Sequence, residues 1–159
     1  MMKVAIVGAV NSQWDRVPWK NKAVRIWTVP KISAALPRVD RAYELHPPEV
    51  AAKSAALVEK SGAALYTWAD MPDFDGPIGG TIAAMIAHAI HEGVDEIALY
   101  GSPFAGLGRG DERESAFYWI GYARARGIKF IDGSGLINTQ KRYCLEDPPA
   151  EKVVEDIDG

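Results

Sequence analysis

The sequence has little cysteine and no long apolar run, and both absences narrow what the chain can be. Cys144 is the only cysteine among 159 residues, so no disulfide can form within the chain and nothing argues for an oxidising compartment. No stretch reaches the roughly 18 to 20 uncharged apolar residues of a membrane span, and the apolar run at the amino terminus is too short for a signal-peptide core. We therefore expect a soluble, cytoplasmic protein with no membrane partner.

The chain also lacks an excess of positive charge. Its 18 Lys and Arg residues stand against 21 Asp and Glu residues, which gives a formal net charge of −3. Proteins that bind nucleic acid without sequence preference neutralise phosphates with a basic surface, and this composition does not supply one. We expect no nucleic-acid partner, and a nucleotide bound by this chain should be a small molecule.

The residues that are present indicate one folded domain. The chain is 48% hydrophobic and holds five Trp and six Tyr, a composition typical of a globular protein. We predict a Rossmann-like domain over residues 1–147 and an acidic carboxyl-terminal tail over 148–159. Aromatic residues are enriched at protein interfaces, so their number also predicts a homo-oligomer, with Trp119 and Tyr122 as candidates. Burial of the aromatics in the core is the alternative.

Strands and helices alternate along the chain, and this order predicts an α/β fold with a mostly parallel sheet of about six strands and helices on both faces. The predicted strands are 3–7, 24–29, 39–45, 63–68, 96–100 and 129–132, and the predicted helices are 48–60, 81–92 and about 111–127. The first strand is almost wholly apolar, which is expected of a central strand that is buried on both faces. In the third strand, Val39, Arg41, Tyr43 and Leu45 should share one face.

The clearest helix is predicted over 81–92, where apolar residues recur at the spacing of a stripe that packs on the sheet. These residues are Ile82, Met85, Ile86, Ala89 and Ile90. Thr81 is the expected N-cap and Gly93 the expected terminator. His88 and His91 should lie on the exposed side, and since no third ligand is near them in sequence we expect no metal there.

The topology of such a sheet predicts where a ligand binds. Ligands lie outside the carboxyl ends of the strands, where the direction of the crossovers reverses. The segments at these ends are 8–12, 44–46, 68–81, 101–109 and 132–134. We expect strands one and four to be neighbours, so that 8–12 and 79–81 border the crevice and bind an anion between them.

The turn from Gly8 to Ser12 is the first candidate for a phosphate site, because backbone N–H groups in such a turn can bind phosphate. It lacks the G-x-G-x-x-G fingerprint and the lysine of a P-loop, so NAD and P-loop ATP chemistry are not expected. The alternative is an ordinary strand end, with Asn11 and Ser12 capping a turn.

The helix start Gly79-Gly80-Thr81 is the second candidate. Unpaired N–H groups and the helix dipole favour an anion there, and the glycines carry no side chain that would block a ligand. An ordinary N-cap is the alternative. Arg109 opens the next helix within a charged segment that is expected to be solvated, although its guanidinium is also suited to clamping a phosphate.

Glu44 and His46 are the candidate catalytic pair. Alternation along the third strand points both side chains to the same side, and histidine titrates near neutral pH, as a general base requires. The alternatives are that the pair binds a ligand by hydrogen bonds, or that it satisfies the backbone of its own loop.

Several spaced motifs resemble a family of small phage-encoded Rossmann-like proteins. They are a glycine turn with Ser12 after the first strand, a Pro-Trp pair, a second strand with Trp27, and the segments 37–46, 81–85, 89–93, 96–101, 118–124 and 127–129. The resemblance covers about residues 3–136. In outline that family is similar to archaeal 6-hydroxymethylpterin diphosphokinase-like proteins and to bacterial sialyltransferases that use a cytidine-nucleotide sugar donor.

The resemblance implies a nucleotide or nucleotide sugar as the ligand. Ser102-Pro103 stands where an acidic residue is common in these relatives, so we expect no metal, and we expect no further cofactor. The resemblance also implies that the nucleotide contacts Gly8, Asn11, Ser12, Thr81, Gly101 and Ser102. The expected function is then a transferase that moves a phosphoryl, diphosphoryl or glycosyl group from a nucleotide, with His46 or Glu44 as the base. The alternative is a non-catalytic phage factor that sequesters a nucleotide-like molecule in the host cytoplasm.

Overall fold

The first strand lies in the middle of a parallel sheet, as its apolar sequence predicts. The computed structural model describes residues 1–102 and 110–135. Its strands are β1 (Lys3–Val7), β2 (Val24–Thr28), β3 (Arg41–Tyr43), β4 (Ala64–Tyr66), β5 (Glu96–Tyr100) and β6 (Lys129–Asp132). They form one sheet in the order β4-β3-β2-β1-β5-β6, and every neighbouring pair is parallel. The α/β, Rossmann-like single-domain fold is confirmed.

Helices fill the connections between the strands. They are α1 (Pro30–Ser33), α2 (Pro48–Ser61), α3 (Thr81–His91) and α4 (Gly110–Ala125), with 3-10 helices at Asn11–Arg16 and Trp68–Asp70. Gly62 ends α2 with φ 72°, a left-handed conformation that glycine adopts without strain. Among the helices that the structure describes, none combines the length and apolar character needed to cross a bilayer.

Alternation along β1 divides the interior into two apolar layers. Val4 and Ile6 pack in the layer that contains α3 and α4, whereas Ala5 and Val7 pack in the layer that contains α1. All four side chains are buried, so β1 contributes to both layers at once.

The prediction that β1 and β4 are neighbours is wrong. β4 lies at the sheet edge, three positions from β1, and β5 is the strand that pairs with β1 on its other side. The reason is that the chain adds β2, β3 and β4 outward in one direction before α3 carries it back across the sheet to β5. The crossovers therefore reverse between β1 and β5.

The third strand is shorter than predicted. Only Arg41–Tyr43 pair as β3, and Val39 packs in the α1 layer while Tyr43 packs in the α3 layer. The expectation that Val39 and Tyr43 share a face is therefore wrong, because Val39 precedes the paired strand and the alternation does not extend back to it.

His88 is buried, against the expectation that it lies on the exposed side of its helix. His88 is 5% exposed, because its ring packs against the rings of Trp27, Tyr43 and Tyr66 on the sheet. Its Nδ1 is 3.0 Å from the hydroxyl of Tyr43, and its Nε2 is 3.4 Å from a carboxylate oxygen of Glu92. His91 is exposed, as predicted.

The surroundings of His88 include a guanidinium held between aromatic rings. The Cζ of Arg41 lies 4.7 Å from the ring centroid of Trp27 and 4.5 Å from that of Tyr66, within range of cation–π attraction. Its Nη1 is 2.6 Å from Glu92, which balances its charge. This cluster joins β2, β3, β4 and α3 on the α3 side of the sheet.

Burial of His88 predicts an acid-sensitive stability. Burial lowers the pKa of His88 below its ordinary value of 6.5, and Arg41 adds to the lowering against an opposing effect of Glu92. The folded state therefore binds fewer protons than the unfolded chain, and the free energy of unfolding should fall as the pH drops below about 6.5. A His88→Gln variant should lose less stability than the wild type between about pH 7.5 and about pH 5 in urea titrations. His91→Gln is the matched control, and an equal pH response in all three proteins would contradict the prediction.

Trp119 is buried inside the monomer and is not an exposed interface residue. Its Nε1 donates to the carbonyl of Pro77 at 2.7 Å, and its ring packs in the α3 layer. Tyr122 is exposed and stacks on Tyr118, with 6.4 Å between the ring centroids and 16° between the ring planes. Self-association stays a prediction, and it now rests on Tyr122.

Candidate functional site

A cavity of about 740 Å³ opens at the carboxyl ends of β1 to β4. Its walls are residues 8–9, 29–31, 44–46 and 78–83, one face of α2, Trp68 and Glu112. The volume is in the range of small-molecule sites, and the position is the one that the parallel sheet predicts for a ligand.

The cavity brings together most of the predicted site residues. It is lined by Gly8, Glu44, His46, Gly79, Gly80 and Thr81. Four others lie outside its walls: Asn11 and Ser12 are exposed on the first 3-10 helix, and Gly101 and Ser102 follow β5 on the far side of β1. Arg109 lies outside the described residues.

Glu44 and His46 form a direct pair in the cavity wall. Oε1 of Glu44 is 2.5 Å from Nδ1 of His46, and it also accepts the backbone N–H of His46 at 3.1 Å. The hydroxyl of Ser54 on α2 donates to the other oxygen, Oε2. Glu44 is 4% exposed, whereas the His46 side chain is 67% exposed. The carboxylate is therefore engaged within the protein, and the imidazole is the member of the pair that a ligand can reach.

The environment keeps Glu44 ionised. Burial by itself raises the pKa of this carboxyl, but the hydrogen bonds from Ser54 and His46 outweigh it, and the net pKa is lowered. An ionised carboxylate only accepts hydrogen bonds, so Nδ1 of His46 carries the proton in this contact. In the neutral imidazole the other nitrogen, Nε2, is then a proton acceptor.

The N-terminus of α3 also lines the cavity. Gly80 is the N-cap, in place of the predicted Thr81, and glycine has no side chain with which to cap this end. The first N–H groups of a helix have no partner inside the helix, and together with the dipole they favour an anion. Lys31 adds a positive charge to the same cavity.

The glycines before α3 also stand where α4 approaches the backbone. A Cβ on Gly79 would lie 2.3 Å from the carbonyl oxygen of Asp111, and its N–H donates to Ser115 Oγ at 3.0 Å. A Cβ on Gly80 would lie 2.9 Å from Cγ of Glu112. A bulky substitution at Gly80 would therefore disturb α4 and would not report on ligand binding alone.

The turn after β1 is bonded to the turn after β5. A Cβ on Gly8 would lie 2.3 Å from the carbonyl oxygen of Gly101, and Val10 N–H donates to that same oxygen at 3.0 Å. Gly8 N–H donates to Tyr100 at 2.7 Å, and its carbonyl accepts from Trp14 Nε1 at 2.8 Å. These bonds engage the N–H groups of Gly8 and Val10, so they favour the ordinary strand end over a phosphate-binding turn.

Sequence reasoning did not single out four side chains of the cavity: Lys31, Ser54, Trp68 and Glu112. Trp68 was within reach, because it opens the segment that follows β4. Ser54 and Glu112 belong to α2 and α4, and their arrival depends on how those helices pack. Glu112 also adds a negative charge to the cavity wall, because it lies beside the N-terminus of α3.

Within residues 1–102 and 110–135, no group of three or more His, Cys, Asp or Glu side chains is placed to hold a metal ion. Comparisons with protein-family models, with curated proteins and with solved structures found no match to this chain. The resemblance to phage-encoded Rossmann-like proteins therefore stays a prediction.

Proposed function

We propose that this chain binds a nucleotide in the cavity and transfers a phosphoryl or glycosyl group from it, with His46 as the general base. The observation that supports this proposal is the hydrogen bond from His46 Nδ1 to the buried, ionised Glu44. A carboxylate that orients an exposed imidazole is a recurring arrangement for removing a proton from a hydroxyl. Here it lies in a cavity of ligand size at the carboxyl edge of a parallel sheet.

In the proposed reaction, Nε2 of His46 takes the proton of an acceptor hydroxyl. The hydroxyl oxygen forms a bond to phosphorus, or to the anomeric carbon of a nucleotide sugar. The bond to the leaving nucleotide breaks, and the nucleotide departs with its electron pair. The negative charge of Glu44 stabilises the imidazolium that results, and Ser54 holds the carboxylate in place.

The anionic part of the ligand is expected at the N-terminus of α3. The N–H groups of its first turn have no partner inside the helix and suit phosphate oxygens, and Lys31 is in the same cavity. Glu112 opposes them, so the cavity does not attract anions by net charge. Phosphate binding should therefore depend on hydrogen bonds from the helix.

The test is incubation of the protein with nucleoside mono-, di- and triphosphates and nucleotide sugars, together with a panel of hydroxyl-bearing acceptors. Mass spectrometry would then identify both the bound and the converted species. We expect one nucleotide class to be retained and converted. Retention without conversion would instead support sequestration by a non-catalytic protein, and absence of any retained nucleotide would contradict both functions.

A further inference from the structure

A half-exposed tryptophan is fixed in the wall of the cavity. Trp68 is 50% exposed, and its Nε1 donates to the carbonyl of Leu45 at 2.8 Å. The 3-10 helix that it opens is capped at its start: Thr67 N–H donates to Asp70 Oδ2 at 2.8 Å, and Ala69 N–H donates to Thr67 Oγ1 at 3.3 Å. Both the indole and the backbone that carries it are therefore oriented before a ligand arrives.

This tryptophan belongs to an apolar surface within the cavity. Val50 and Leu57 on α2 are also exposed, and they line the same cavity as Trp68. Exposing such side chains to water loses roughly 25 cal/mol of hydrophobic free energy for each Å² of apolar surface. Single exposed apolar residues are ordinary, but three that meet in one concave site indicate a ligand with an apolar or aromatic part.

The hydrogen bond of Trp68 also places its ring beside the catalytic pair. Leu45, which accepts that bond, lies between Glu44 and His46 in sequence, and all of them line the cavity. An indole offers a large flat face, and an orientation fixed in advance reduces the entropy lost on binding.

We propose that Trp68 is the ring-recognition residue of this cavity, and that a nucleobase stacks on its indole. The inference rests on the proposed function. It assigns a contact to the base, which is the part of the ligand that the helix N-terminus and the His46 pair do not contact. Stacking of a base on an aromatic side chain contributes about 1–3 kcal/mol, which corresponds to roughly 5- to 150-fold in affinity.

The test compares two kinds of ligand, with and without a ring, on two proteins, and is measured by calorimetry. The ligands are the four common ribonucleoside 5′-monophosphates and ribose 5-phosphate, which has the sugar and the phosphate but no ring. The proteins are the wild type and Trp68→Leu. We expect the substitution to weaken the best nucleotide roughly 5- to 150-fold and to leave ribose 5-phosphate unchanged. Trp68→Phe should restore most of the affinity, because it restores an aromatic ring. The phenyl ring cannot make the hydrogen bond to Leu45, so the recovery should be incomplete.

The matched control is Tyr118→Leu, which removes an aromatic ring that is 45% exposed outside the cavity. Equal weakening of both ligands by Trp68→Leu, or no weakening of either, would overturn the inference while the proposed function stands. Nucleosides that bind as tightly as nucleotides, in a Trp68-dependent manner, would support the ring site and contradict the phosphate site. If no ring-bearing compound binds the wild type, both proposals are wrong.

Discussion

Replacing His46 with glutamine is expected to lower turnover of the converted nucleotide by roughly 10²- to 10⁴-fold, the usual contribution of a general base. Glutamine cannot take up the proton of the acceptor hydroxyl. The nucleotide should still bind within a few-fold of the wild-type affinity, since ring and phosphate contacts are assigned elsewhere. Because the His46 side chain is 67% exposed, the substitution should leave the fold intact. Single-turnover kinetics and calorimetry on the same preparations would separate the two effects.

The control for this experiment is His91→Gln, which removes an exposed histidine at the far end of α3 from the cavity. It should leave turnover unchanged. Glu44→Gln should lower turnover as well, because the amide cannot stabilise the imidazolium by charge. A His46→Gln protein with turnover close to that of the wild type would exclude His46 as the base.

A Gly8→Ala substitution is expected to lower the free energy of unfolding by about 3 kcal/mol or more. The added Cβ would stand 2.3 Å from the carbonyl oxygen of Gly101 and 2.9 Å from its carbonyl carbon, both of them backbone atoms. Relief would require the turns after β1 and β5 to separate. This would strain the bonds that Gly8 makes to Tyr100 and that Val10 makes to Gly101.

The matched control is Gly121→Ala, in the interior of α4. A Cβ there meets nothing within 4 Å, so alanine should stabilise the protein by about 0.5–1 kcal/mol through helix propensity alone. Urea unfolding of both variants would measure the contrast. A Gly8→Ala protein as stable as the wild type would show that the two turns can separate freely.

Much of the architecture could be predicted from local patterns. The apolar run at 3–7 and the alternation of elements predicted a central first strand and a parallel sheet, and the structure confirms both. Strand alternation predicted that Glu44 and His46 meet; the structure brings them together, although in the loop that follows β3 and not within the strand. These features depend on neighbours in sequence, so a single sequence contains them.

The features that were wrong depend on what packs against an element from outside it. The stripe on α3 predicted one buried face, but the rings of Trp27, Tyr43 and Tyr66 on the sheet also pack around His88, which is therefore buried beside that stripe. The position of β4 was missed because the apolar pattern of a strand says that it is paired and does not say with which partner. From the sequence alone, Trp119 could equally have been an interface residue. The structure shows that its indole N–H donates to the carbonyl of Pro77 within the same chain.

The glycines show most directly what the sequence determined and what the tertiary structure determined. The sequence marked positions 79 and 80 as places where the backbone can be approached closely, because glycine lacks a side chain, and it marked Gly8 as the start of a turn. Only the tertiary structure decided what approaches them: the turn after β5 at Gly8, and the first turn of α4 at Gly79 and Gly80.

The Glu44–His46 pair shows the same division. The sequence predicted that the two side chains lie on the same side of the backbone. Their burial asymmetry, with Glu44 enclosed beside Ser54 and His46 open to the cavity, was decided by the packing of α2 against the carboxyl end of β3, since burial is set by residues distant in sequence.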